Sequence, residues 1–331
     1  MGGNLFETSR VSPERYNQIT KSVLEKLSCD SMKVVPHFKD KSSFGDLDIV
    51  CPFGVGFAKD LIDRVFNNPK CSVNDSVISF LYMDFQIDVI CMSPLYFEMA
   101  LAYFSYNDLG NILGRIFHKM GLKFGHSGLI YPVRIDSIVG EVLVSRDMRM
   151  ILAYLGLGPG RWKKGFDTLD DIFLYVSKSK YFDPDIFDPE INAHNRKKNA
   201  KRTTFQRFVK WIEANNPSKN HEFESDKTKY LLDIADFFGY DILDRIDGIR
   251  ENGLRKQELS NRFRGELFME ITGLKGQDLG AFISYYKNIY SGFTDLKTDS
   301  WEFTASQDEI RYDIEQKYAE YKKNILHGDI A

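Results

Sequence analysis

The alternation of apolar and polar residues predicts helices and strands in the first hundred residues. Ser12 and Pro13 are typical of a helix start, and apolar residues then recur at helical spacing, at Tyr16, Ile19, Val23, Leu24 and Leu27. Strand-like runs follow at 32–38, 46–51, 77–82 and 85–91, with a polar, basic turn at 39–44 and a helix from about 57 to 66. We therefore expect a small mixed sheet with helices on one side.

The second half of the chain has a mostly helical pattern. The run Gly156-Leu-Gly-Pro-Gly160 is the clearest break in the sequence, and a domain boundary is expected there. Ser306 and Glu309 match a capping box at the start of the last helix. The predicted fold class is α+β, with a sheet-bearing domain at 1–95, a second segment at 96–156 and a mostly helical domain at 161–331.

Two acidic residues in one predicted strand are the main candidates for chemistry. Asp46 and Asp48 are two positions apart, so their side chains share one face of the strand. Asp88 lies between Ile87 and Val89 in a second apolar strand, where a carboxylate needs a partner. If the three meet, they form the ligand set of a site for two Mg²⁺ ions. The alternative is a solvated strand or turn, where an Asp-x-Asp pair is common.

Charge and composition narrow the classes of function. The 331 residues have a net charge of −3, so the whole protein is not a basic nucleic-acid binder, and any such contact needs a local patch. One patch lies between 191 and 210, where seven cations and no acids occur: Arg196, Lys197, Lys198, Lys201, Arg202, Arg207 and Lys210. It is either a groove for a nucleic-acid backbone or a solvated helix face.

Other classes of protein are disfavoured. The four cysteines form no Cys-x-x-Cys motif and the six histidines no pair at metal-ligand spacing, which argues against zinc. No apolar run approaches the length of a membrane span, and the N-terminus lacks the features of a signal peptide. These features predict a soluble, cytoplasmic protein with no membrane partner.

The segment from about residue 12 to 155 resembles the DNA polymerase β-like nucleotidyltransferase superfamily. Gly45-Asp46-Leu47-Asp48 matches the Gly-Asp-x-Asp of that family, and Asp88 matches its third carboxylate. The resemblance implies a palm at 1–95, with Asp46, Asp48 and Asp88 as catalytic ligands of two Mg²⁺ ions. It also implies that Lys39 contacts phosphate.

The polymerase X branch of this family resembles the chain beyond its carboxylates. The segment 102–107 is similar to the part of that branch that packs on the incoming nucleotide, so 96–156 is expected to be a thumb-like nucleotide-pocket subdomain. The resemblance implies nucleotide contacts for Gly45, Tyr103, Phe104 and Asn111 and a template-side contact for Arg115; ordinary core packing and a solvated helix face are the alternatives.

Two positions depart from the pattern of the family. Val35 and Pro36 stand where the family has Gly-Ser to grip the triphosphate, and proline has no amide N–H. Ser42 or Ser43 is the expected substitute, and we assign Ser43 to the nucleotide. Tyr106 stands where the polymerase branch has glycine, which predicts a differently shaped sugar pocket.

The expected function is Mg²⁺-dependent transfer of a nucleoside monophosphate from an NTP or dNTP to an acceptor hydroxyl, with release of pyrophosphate. A nucleic-acid 3′ end is the favoured acceptor. RNA is placed ahead of DNA because of the basic run and because 271–282 resembles, over about a dozen residues, the tails of tRNA CCA-adding and poly(A) enzymes. The alternatives are modification of a protein hydroxyl and a catalytically inactive protein that binds nucleotide or nucleic acid on the same fold.

Overall fold

The computed structural model describes residues 5–188 and 202–327. It is an α+β structure with a mixed five-stranded sheet, a three-stranded sheet and a helix-rich C-terminal region, which confirms the predicted fold class. None of the helices in these residues is long and apolar enough to cross a membrane.

The larger sheet has the strand order β1-β2-β5-β4-β3 and the smaller one β6-β7-β8. The strands are β1 (Lys33–Val34), β2 (Asp46–Cys51), β3 (Cys71–Asn74), β4 (Val77–Tyr82), β5 (Phe85–Cys91), β6 (Lys123–Gly125), β7 (Gly128–Arg134) and β8 (Ile138–Ser145). In the larger sheet β2 and β5 pair in parallel, and the other pairs are antiparallel. The strand predictions at 46–51, 77–82 and 85–91 are confirmed.

The predicted strand at 32–38 is wrong in its length, since only the two residues of β1 pair with β2. Pro36 has no N–H to donate to a sheet, so the strand stops before it. The carbonyl of Pro36 instead accepts a hydrogen bond of 2.8 Å from the amide of Tyr106. The chain thus leaves the sheet at Val35 and turns toward the segment between the third and fourth helices.

Four helices belong to the first 120 residues: α1 (Pro13–Leu27), α2 (Val55–Phe66), α3 (Phe97–Phe104) and α4 (Leu109–Lys119). As predicted, Ser12 caps α1, accepting a hydrogen bond from the amide of Arg15. Later helices span Met148–Tyr154, Pro159–Lys164, Leu169–Ser177, Thr203–Asn215, Lys229–Phe238, Asp241–Arg262, Gly265–Thr272, Gly276–Ile289, Gly292–Asp295, Trp301–Thr304 and Gln307–His327. Short 3₁₀ turns lie at Pro94–Tyr96 and Pro184–Phe187.

The alternation of side chains along β2 separates the core from the acidic face. Leu47 and Ile49 are fully buried in a cluster with α1, α2 and the neighbouring strands. Asp46 and Asp48 occupy the intervening positions, so they point to the opposite face of the sheet. The burial of the apolar face therefore fixes the direction of the carboxylates.

The contacts within the chain divide it into two compact units, one of Met1–Tyr131 with Leu143–Tyr240 and one of Pro132–Val142 with Asp241–Ala331. This division does not follow the predicted boundaries at 95 and 156. Residues 161–240 belong to the first unit, where the amides of Lys39 and Asp40 donate to the carbonyls of Phe166 and Asp167, at 3.0 and 2.8 Å.

The second unit has its own apolar core, which is built from helices. Phe268, Phe282 and Tyr286 are fully buried there, together with Ile310 and Ile314 of the last helix. The predicted capping box opens that helix: the amide of Glu309 donates to the hydroxyl of Ser306 at 3.2 Å, and the Ser306 amide donates to the Glu309 carboxylate at 2.6 Å.

Candidate metal centre

The strand pairing brings the three predicted carboxylates together. β2 and β5 pair in parallel with Asp46 opposite Gln86 and Asp48 opposite Asp88. Residues in register on neighbouring strands point to the same face, so the three side chains meet. Asp46, Asp48 and Asp88 each offer an oxygen within 4.8 Å of the others, and the group could hold a metal ion.

Asp48 is the least satisfied of the three. Its Oδ1 atom is buried and has no hydrogen-bond partner among the described residues. Burial and the negative charges of Asp46 and Asp88 raise the pKa of Asp48 to about 7. A buried carboxylate oxygen without a hydrogen-bond partner is costly, and a bound cation would remove that cost. The three carboxylates therefore fit a hard divalent cation such as Mg²⁺.

Asp88 is held in place by a neighbour that the sequence analysis missed. The Gln86 Nε2 donates to both carboxylate oxygens of Asp88, at 2.9 and 3.0 Å. The Gln86 Oε1 in turn accepts from the amide of Leu5 at 3.2 Å. Burial raises the pKa of Asp88, and hydrogen bonds from Ser79 and Gln86 oppose that shift. The signal in the sequence is a second polar residue, two positions before Asp88, in an otherwise apolar strand.

A cleft of about 890 Å³ in the first unit opens over Asp46 and Asp48. Its walls come mainly from the N-terminal segment, the β1–β2 connection, α3–α4 and the start of the helix Thr203–Asn215. The lining residues are Thr8, Arg10, Tyr16, Val35, Pro36, His37, Lys41, Gly45, Asp46, Asp48, Ile90, Tyr103, Phe104, Asn107, Asp108, Asn111, Arg202, Thr203 and Thr204. Of the predicted binding residues, Gly45, Tyr103, Phe104, Asn111 and Arg202 lie here.

Other predicted residues lie outside this cleft. Lys39 is exposed, and its Nζ pairs with the Asp167 Oδ1 at 2.5 Å. The hydroxyl of Ser43 accepts a hydrogen bond of 2.9 Å from the Arg10 Nε, and Ser43 lines a neighbouring cavity of about 430 Å³. Arg207 lines the same neighbouring cavity. Lys39, Ser43 and Arg207 are thus not among the residues that line the cleft.

The predicted template-side residue, Arg115, is not among the residues that line the cleft. The guanidinium of Arg115 packs over the ring of Phe205, 3.9 Å from its centroid. Burial and the nearby Arg202 lower the pKa of Arg115. Phe205 belongs to the helix Thr203–Asn215, so this stack ties α4 to that helix. Arg196, Lys197, Lys198 and Lys201 lie outside the described residues.

Two cations of the cleft were not among the predicted site residues. Arg10 reaches the cleft from the N-terminal segment, and Lys41 from the turn before β2. Lys41 belongs to the predicted basic turn, where no periodic pattern predicts which side chain faces the cleft. Arg10 is 33 positions from its hydrogen-bond partner Ser43, a pairing that no local pattern indicates.

Tyr106 adopts a backbone conformation that glycine favours. Its φ is +61°, and Asn107 has the same value. The ring is buried against Trp162 and Phe166, and the hydroxyl donates to the Trp162 carbonyl at 3.0 Å. The Tyr106 side chain thus fills the interior.

Comparisons with protein-family models and with curated proteins found no match for this chain. What the site can do is therefore judged from its own chemistry. Three converging carboxylates can bind a divalent cation. A cleft beside them that also contains Arg10, Lys41 and Arg202 can accept an anionic ligand bound to that cation.

Proposed function

We propose that the protein transfers a nucleoside monophosphate from an NTP or dNTP to an acceptor hydroxyl. The observation that carries this proposal is the buried Oδ1 of Asp48, which has no hydrogen-bond partner in the described part of the chain and lies among three carboxylates beside the large cleft. In the reaction, the acceptor oxygen bonds to the α-phosphorus, the bond from that phosphorus to the bridging oxygen breaks, and pyrophosphate leaves with the bond electrons.

Each carboxylate has a role in this proposal. Asp46 and Asp48 would hold both Mg²⁺ ions, and Asp88 the one nearer the acceptor. Bound Mg²⁺ would supply charge neutralisation and a lowered pKa of the acceptor hydroxyl. Asp88 accepts the proton of that hydroxyl, a role supported by the raised pKa that burial gives it. Gln86 keeps the Asp88 carboxylate oriented through its two hydrogen bonds.

The cleft supplies contacts for the nucleotide. Tyr103 and Phe104 bring aromatic faces to its wall, and Asn111 brings an amide that donates to Asp108 at 3.3 Å. Aromatic rings pack on any base, and an amide can read a base edge. The base would therefore lie toward α3 and α4, with the triphosphate toward the carboxylates.

A nucleic-acid 3′ end is the acceptor we favour, with RNA ahead of DNA. Arg202 lines the cleft itself and Arg207 the neighbouring cavity, so positive charge extends away from the carboxylates. These cations could contact the backbone phosphates of a nucleic-acid strand whose 3′ hydroxyl lies at the carboxylates. A hydroxyl of a protein is the rival acceptor.

A second candidate is a protein that binds nucleotide or nucleic acid without turnover. Val35 and Pro36 line the cleft where the polymerase β-like family places its Gly-Ser grip. Proline offers no N–H, and its carbonyl is already bonded to the Tyr106 amide. A weak hold on the triphosphate would permit binding but leave the α-phosphorus out of line for attack.

Label transfer distinguishes these functions. The protein is incubated with Mg²⁺, each labelled triphosphate, and separate pools of tRNA, single-stranded DNA and cell protein. We expect label in one nucleic-acid pool, and a loss of about 10³-fold in Asp46→Asn, because losing a metal ligand removes several kcal/mol of transition-state stabilisation. Asp60→Asn, an exposed helical aspartate, is the matched control.

Each outcome decides between the candidates. Transfer that survives in Asp46→Asn would refute the proposed mechanism. Labelled protein would favour the rival acceptor. Binding of a triphosphate by the wild-type protein without transfer to any pool would favour the inactive binding protein.

A further inference from the structure

The two lysines of the turn before β2 have different surroundings. Lys39 is exposed, and its ammonium pairs with Asp167 at 2.5 Å. Its amide also donates to the carbonyl of Phe166, so Lys39 connects the turn to the segment around Phe166. Lys41 is half-buried, lines the cleft and makes no ion pair with any described residue. The two cations are therefore not equivalent, although only one position lies between them.

The ammonium of Lys41 packs over an aromatic ring just before β2. Its Nζ lies 4.7 Å from the ring centroid of Phe44, which precedes β2 by two residues. Burial lowers the pKa of Lys41, and the charges of Asp46 and Asp48 oppose that shift. A cation that stacks on a buried ring is restricted in its motion, so its charge stays at the carboxylate end of the cleft.

Arg10 adds a second cation at the same end. Its Nε and Nη2 donate to the hydroxyl and carbonyl of Ser43, at 2.9 and 2.7 Å. Its Nη1 lies 3.0 Å from the point where a side chain on Gly45 would begin. The absence of a side chain at Gly45, the residue before Asp46, therefore leaves room for the guanidinium.

Charge balance shows why further cations are needed. A triphosphate carries about four negative charges, and three carboxylates add three, against about four positive charges from two Mg²⁺ ions. The remaining excess of about three negative charges needs positive groups nearby. Pro36 supplies no backbone donor. Side-chain cations can supply the positive charge: among the described residues Arg10, Lys41 and Arg202 line the cleft, and of these Arg10 and Lys41 come from the segments that lead into β2.

We propose that Lys41, with Arg10 beside it, binds the triphosphate of the nucleotide, and that Lys39 instead serves as a structural ion pair with Asp167. This assignment rests on the proposed function. It differs from the one that the family resemblance implies for Lys39. The phosphate grip then consists of side-chain charges from the N-terminal segment and the turn, in place of backbone amides.

Inorganic tripolyphosphate with Mg²⁺ tests this grip without knowledge of the base. Its dissociation constant is measured by calorimetry for the wild type, Lys41→Met, Lys41→Arg and the matched control Lys39→Met. We expect Lys41→Met to raise the constant at least about tenfold, since it keeps the stem and removes a charged hydrogen bond. Lys41→Arg should retain binding, and Lys39→Met should stay within about twofold of the wild type. Thermal unfolding of each variant reports whether it is folded.

The results separate this inference from the function it rests on. If the wild type binds neither tripolyphosphate nor any nucleoside triphosphate, the proposed function fails, and the assignment of Lys41 fails with it. If the wild type binds and Lys39→Met loses affinity while Lys41→Met does not, the assignment alone is overturned. Equal affinity in all four folded proteins would also overturn it.

Discussion

Replacement of Asp48 by asparagine gives opposite predictions for the metal-free and the Mg²⁺-bound protein. Without metal, the buried Asp48 carboxylate faces Asp46 and Asp88 and has an oxygen with no partner among the described residues. An asparagine side chain carries no charge, so the repulsion disappears. With Mg²⁺, the same substitution removes a ligand. We therefore expect Asp48→Asn to stabilise the metal-free fold and to weaken its response to Mg²⁺.

The size of the effect follows from the pKa of Asp48. Its rise from 3.8 to about 7 means that the folded state resists ionisation. At 1.36 kcal/mol per pKa unit the penalty is on the order of 4 kcal/mol, and about 2 kcal/mol once partial solvent access is considered. The penalty is absent below about pH 4, grows as the pH rises, and is complete above about pH 7. The wild type should therefore lose free energy of unfolding over this interval relative to Asp48→Asn.

Urea unfolding in EDTA at pH 5, 6, 7 and 8 measures this difference, with Asp60→Asn as the control. The difference between the wild type and Asp48→Asn cancels the titrating groups that do not interact with Asp48. In Mg²⁺ at about 100 times its dissociation constant, the wild type should gain about 2.7 kcal/mol at pH 8 and less at pH 5, because the ion competes with protons. A pH-independent difference in EDTA would refute the account of Asp48, and an equal Mg²⁺ gain in both proteins would refute the metal site.

Three further substitutions test how the site is supported. Gly110→Ala should destabilise the protein by at least about 2 kcal/mol in urea unfolding and lower nucleotide affinity, because its new methyl would overlap the Tyr103 carbonyl. Gly114→Ala, in the same helix with no atom closer than 3.8 Å, should be neutral or stabilise it by up to about 1 kcal/mol. Gln86→Leu should cost about 1–3 kcal/mol and raise the Mg²⁺ concentration needed for thermal stabilisation, because it leaves Asp88 without two hydrogen bonds; unchanged Mg²⁺ dependence would argue against its orienting role.

Local pattern was enough to predict the strands that carry the carboxylates. The alternation at 46–51 and the apolar run at 85–91 gave the bounds of β2 and β5, and Met83 and Asp84 form the turn between β4 and β5 with φ of +53° and +59°. β3 was missed because Cys71–Asn74 is only four residues long and half-exposed, too short for its alternation to stand out. Strand prediction thus succeeded where one face or both were buried.

The walls of the cleft could not be predicted in the same way. Arg10 and Thr203 reach it from segments far apart in the chain, and no periodicity links them to Asp48. The choice between Lys39 and Lys41 was equally hidden, since both lie in an irregular turn where side-chain direction depends on long-range contacts with Asp167 and Phe44. The directions of these side chains depend on contacts between residues far apart in the chain, and no periodic pattern in the sequence reveals such contacts.

The register between β2 and β5 connects the stability of the fold with the geometry of the site. Ile87 and Val89 are fully buried on the face that α1 and α2 cover, and Asp88 lies between them on the other face. A shift of one residue in β5 would place the carboxylate in the apolar core and put both apolar neighbours on the acidic face, at a cost of several kcal/mol. The apolar residues therefore fix the strand where Asp88 meets Asp48. For this reason the carboxylates can converge in the absence of a metal, although their charges repel one another.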